Sequence, residues 1–152
     1  MKHITTILAL IFTTISASAM NCEKCAIENV KLIAENLDSL TVELIKDFFC
    51  TFDKSCQNNS EYSEWSNEIV FELLDHDAKL FLTVLKAENL ETKKMIIKEI
   101  ETPSHEVDLN RIYKKIESTN YEGTLKKEVL EAVSIATKKN LKMESTGHES
   151  NF

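Results

Sequence analysis

"MNCEKCAIENVKLIAENLDSLTVELIKDFFCTFDKSC", residues Met20 to Cys56, holds all four cysteines of the chain. Cys22 and Cys25 stand three apart at its start, Cys50 and Cys56 six apart at its end. Between them Ile27, Val30, Ile33, Ala34 and Leu37 recur at three-to-four spacing, which lays one apolar stripe along a helix. After a break at Asp38-Ser39, a second stripe follows through Val42, Leu44, Ile45, Phe48 and Phe49, with Thr41 or Ser39 able to cap it. Val30, Ile33, Leu37, Leu44, Ile45, Phe48 and Phe49 are therefore expected either to build a core or to face lipid, and the core is the commoner fate of such stripes.

Four cysteines allow three pairings. An antiparallel hairpin turning near Asp38 places Cys25 opposite Cys50 and lets Cys22 reach Cys56. Alternatively Cys50 closes on Cys56 across a short loop, leaving Cys22 and Cys25 to each other or to another chain. Spacing alone leaves both open.

Working outward, the chain opens "MKHITTILALIFTTISASAM". A short basic start, an apolar run from Ile4 to Ile15 and the small-x-small triplet Ala17-Ser18-Ala19 read as a secretory signal peptide over residues 1–19. The run is too short for the roughly 20 apolar residues that span a bilayer. A secreted or luminal chain is expected, with its cysteines paired.

Two glycines and one proline are too few for a turn-rich β fold. The fold class expected is all-α: a small helical bundle or helical leaf over 20–89, a helical extension over 90–142 and a disordered tail over 143–152. Trp65, Ile69, Val70, Leu73 and Leu74 mark a third helix, "DHD" (Asp75 to Asp77) a break and cap, and Leu80, Phe81, Val84 and Leu85 a fourth helix. Three further helical segments follow, separated at Pro103-Ser104 and near Gly123. The net charge of −7, one unit more negative once Lys2 leaves with the leader, excludes a backbone-binding nucleic-acid role. It also excludes a cationic membrane-lytic peptide.

Candidate chemistry is sparse. "CEKC" lacks the preceding strand and βαβ unit of a thioredoxin-like site. The wide Cys50–Cys56 spacing and an oxidising compartment argue against a zinc site, even with His76 nearby. "DHD" reads as a solvated cap, and His105 and His148 as surface residues. No nucleophile, base and orienting group assemble, so no enzyme, cofactor or metal is expected. Asn58-Asn59-Ser60 is a glycosylation sequon.

The order C-x-x-C, amphipathic helix, helix, cysteine, short polar loop, cysteine resembles the first half of a saposin-like domain. "NEIVFELLDHDAKLFLTVLKA" resembles that family's third and fourth helices, and the likeness covers roughly residues 20–89. In the family the third cysteine pairs with the fourth, which implies a Cys50–Cys56 bond here and leaves Cys22 and Cys25 unassigned. Their family partners would be a fifth and sixth cysteine, and Phe81 and Ala87 stand at those places. The resemblance implies a non-enzymatic lipid- or membrane-interacting protein whose helices open an apolar face to bilayers, helped near pH 5 as carboxylates protonate. The other class compatible with the residues is a secreted helical module, an inhibitor or effector, that binds a protein partner.

Overall fold

A computed structural model describes residues 22–147, the side chains of Gln57 and of residues 142–147 excepted. The leader over 1–19 and the segment 148–152, including His148, lie outside the described residues. The architecture is all-α, with six helices and, among the described residues, no strand.

α1 (Ile27–Glu35) and α2 (Val42–Cys50) form an antiparallel hairpin around a 3-10 turn at Leu37–Ser39. Thr41 caps α2, its hydroxyl accepting from the Leu44 N–H at 3.2 Å. Most of the two stripes meets the rest of the molecule, while Ala34 and Val42 at their edges are exposed. Val30, Ile33, Ile45, Phe48 and Phe49 are buried, and Leu37 and Leu44 pack half-buried against the same core. Phe81 lies edge-on to Phe49 with ring centroids 5.2 Å apart. This aromatic contact joins the hairpin to the next helix.

A second 3-10 turn, Lys54–Asn58, leads into α3 (Ser60–Ala87). Asn59 caps α3 through its side-chain oxygen, which accepts from the Tyr62 N–H. "DHD" is the expected break and cap, two helical halves of α3 meeting in a kink at Asp77. Asp77 has φ −144° and ψ 80°, and its carboxylate caps the second half by accepting from the Leu80 N–H at 2.8 Å. Beside the bend, the Lys115 ammonium donates to the Asp75 carbonyl. Arg111 and Lys115 also pair with the Asp75 carboxylate, at 3.1 and 2.8 Å.

α4 (Leu90–Glu101), α5 (Leu109–Ser118) and α6 (Thr124–Gly147) complete the bundle. The core does not divide at residue 89: Ile96, Ile100, Ile112, Ile116, Val129 and Val133 belong to the same apolar cluster as the hairpin. Residues 90–142 are therefore part of one body, with α3 as its central strut, rather than an appendage. α6 runs through Gly147, past residue 142, where the helical extension was expected to end. His105 is also corrected: its ring packs half-buried against Phe71, centroids 5.8 Å apart.

The cysteines pair in the one arrangement not anticipated. Cys22 bonds Cys50 and Cys25 bonds Cys56, with Cα–Cα separations of 5.6 and 5.4 Å. No Cys50–Cys56 bond forms, nor does the symmetric hairpin pairing of Cys25 with Cys50. The cause lies in the chain's direction at each end. Thr51 ends α2, so Phe52 and the following 3-10 turn fold back beside the start of α1 and bring Cys56 to Cys25. Cys25 itself has φ +58°, a left-handed conformation uncommon for a residue with a Cβ. Its N–H donates to the Thr51 carbonyl at 2.9 Å, and with the bond to Cys56 this holds the turn that aims Cys22 at Cys50. Two disulfides suit an oxidising compartment, and no described helix is long and apolar enough to cross a membrane.

Candidate functional site

An open groove of about 600 Å³ lies between the Lys54–Asn58 turn, the first turns of α3 and the outer face of α4. Ligand sites commonly occupy about 300–1,000 Å³. Three segments build it, and each is placed by a cap. Asp53 starts the 3-10 turn, its Oδ1 accepting from the Ser55 N–H at 2.9 Å and the Ser55 hydroxyl at 2.8 Å. These two bonds hold the Asp53 carboxyl below the usual carboxylate range. Asn59 places α3 as described. Asn89 starts α4, its oxygen accepting from the N–H groups of Glu91 and Thr92.

The floor is apolar. Phe52 stands edge-on to Phe48 and Tyr62, at 5.2 and 6.2 Å between centroids. The Tyr62 phenol hydrogen-bonds the buried Thr51 hydroxyl. Burial pushes the Tyr62 pKa up to about 12, so the phenol stays neutral across the physiological range. Met95 and Leu90 supply the opposite wall from α4, and Leu90 is 68 % exposed at the mouth. Lys54 and Glu91 form an ion pair of 3.0 Å between the 3-10 turn and α4. Both side chains are mostly exposed, so the pair adds little stability, but it ties two walls of the groove together.

Glu99 lies at the inner end. Its position follows from Asn67, a buried amide on α3 whose Nδ2 donates to the Glu99 carbonyl at 3.1 Å, the Glu99 carboxylate at 2.8 Å and the Thr102 carbonyl at 3.3 Å. The Asn67 oxygen accepts from the N–H and hydroxyl of Ser104. One side chain therefore fixes the end of α4 and the loop to α5. Desolvation raises the Glu99 pKa, and the Asn67 hydrogen bond partly opposes this.

None of these groove residues was singled out by sequence. Tyr62 sits inside a polar run, and Met95 and Glu99 lie four apart on a helix that reads as an ordinary amphipathic stretch. The residues expected to build a core or face lipid are in the core: Val30, Ile33, Ile45, Phe48 and Phe49 are buried, Leu37 and Leu44 pack against them, and none of the seven lines the groove. Asn58 is exposed at the end of the 3-10 turn. All four cysteines are consumed in disulfides and leave no thiol for redox or metal chemistry. Among the described residues no cluster of three or more His, Cys, Asp or Glu is disposed to hold a metal ion. No protein-family model, curated protein or solved structure matches this chain.

Proposed function

We propose that this is a secreted or luminal, non-enzymatic binding protein that holds one lipid-like amphiphile in the groove between the 3-10 turn, α3 and α4. The observation that carries the reading is a groove walled by Met95 and Leu90 and closed beneath by the buried rings of Phe52 and Tyr62, under a charged rim. An apolar chain in such a groove is removed from water at roughly 25 cal/mol per Å², while its polar end stays at the rim. The saposin-type use, in which paired helices unfold their apolar face onto a bilayer, has less support. The face it would need is occupied by Phe48, Phe49 and Phe81, and two disulfides close the hairpin. The exposed Asn58 leaves the sequon accessible to a glycan.

Calorimetric titration with decanol tests the reading. Wild type is expected to bind one molecule saturably. Met95→Trp, which fills the groove with an indole, is expected to weaken binding at least tenfold with its melting temperature retained. Absence of saturable binding, or equal binding by the variant, contradicts it. Leu90, exposed beside the groove, favours a second reading in which a partner protein's apolar side chain enters there. That reading predicts no decanol binding.

A further inference from the structure

The charges around the groove are not equivalent. Lys54 is engaged by Glu91, and Lys98 by Glu101 at 3.1 Å. Lys94 is exposed on the rim, where solvent and salt screen it. Asp53, also on the lining, is satisfied by the N–H and hydroxyl of Ser55, and Glu99 differs from all of these. It is half-buried on the inner wall and accepts one hydrogen bond, from a neutral amide. Among the described residues no lysine, arginine or histidine nitrogen lies within 4.0 Å of its carboxylate. A carboxylate out of water without a counter-cation is costly, and burial duly raises its pKa. Phe52 and Tyr62 line the same groove, and Tyr62 lies close enough to feel the Glu99 charge. Both rings are buried, Phe52 packed edge-on to Phe48 and Tyr62, so they close the groove from beneath and the half-buried carboxylate itself selects the head, attracting an organic cation by direct charge.

We infer that the groove takes a single-chain amphiphile with a cationic head, an alkylamine or alkylammonium, whose head pairs with Glu99 while its chain lies along Phe52, Met95 and Leu90. This rests on the binding reading above and fixes the polar end of the ligand. It assigns Glu99 the role of counter-ion. The surface lysines repel the cationic head, and attract anionic ones, only weakly, as exposed and paired charges do.

The test is calorimetry at pH 7 with three probes of one chain length: decyltrimethylammonium, decanol and decanoate, each below its micellar range. Wild type is expected to bind the ammonium about tenfold more tightly than decanol, a difference of about 1.4 kcal/mol, and decanoate least well. In Glu99→Gln, which keeps an acceptor for Asn67, the ammonium-to-decanol ratio should fall to about one. The wild-type ranking decides the sign without any variant, so a poorly folding E99Q would not rescue the idea. Equal affinities for ammonium and decanol, a preference for decanoate, or an ammonium preference that survives in E99Q overturns the cation assignment and leaves the groove reading standing. Failure of all three probes overturns both.

Discussion

At the scale of single residues, the aromatic contact between Phe49 and Phe81 separates a sealed hairpin from an opening one. Both rings are fully buried and meet edge to face, an arrangement that adds to simple area burial. Phe49→Ala is expected to destabilise the fold by about 3–5 kcal/mol, the usual cost of emptying a buried aromatic site. Urea unfolding measures it; a loss under about 1 kcal/mol would mean that the site is not packed as described. Decanol binding by the folded fraction should be unaffected, because Phe49 does not line the groove. The stripes of α1 and α2 were readable because helical spacing is a local property. Which side of the balance they fall on, core or lipid, was not readable, because it depends on Phe81, distant in sequence, arriving opposite Phe49.

At the scale of elements, the two disulfides have different jobs. They close loops of similar span, 28 and 31 residues of separation, so loop entropy alone assigns each about 3.5 kcal/mol. Their surroundings differ. Cys22 is exposed, whereas Cys56 is buried and its bond holds Cys25 in the left-handed conformation that starts α1. Replacing Cys25 and Cys56 by alanine should therefore cost more than replacing Cys22 and Cys50, as read by urea midpoints under non-reducing conditions. The reverse order would remove the inner bond from its structural role. Caps such as Thr41 were legible in the sequence, and so was the acidic "DHD" as a break and cap, since Asp77 leaves helical geometry and caps the second half of α3. The pairing was not legible. It turns on how the chain leaves α2 at Thr51 and folds back, which tertiary packing decides. The groove was hidden for the same reason: Phe52, Tyr62, Met95 and Glu99 come from three segments and share no pattern along the chain.

At the scale of the whole molecule, acidity and burial act together. Desolvation raises the carboxyl pKa of Asp47, Glu72, Glu88 and Glu99. A carboxyl whose folded pKa lies above its unfolded value binds more protons when folded, so stability rises as pH falls through that window. The melting temperature is expected to be higher at pH 5 than at pH 7, with relief of like-charge repulsion in an acidic chain acting in the same direction. Asp53 works oppositely, its lowered pKa making a contribution that is lost only at more acid pH. A melting temperature that drops steadily from pH 7 to pH 5 would contradict this account. The central claim is that the molecule offers a groove and keeps its hairpin closed. Amide chemical-shift mapping of the disulfide-intact protein during a decyltrimethylammonium titration tests it most directly. The account predicts shifts confined to residues 52–56, 62–66 and 90–99, with the amides of Val30, Ile33 and Ile45 unmoved; dominant shifts across α1 and α2 would contradict it and restore an opening hairpin.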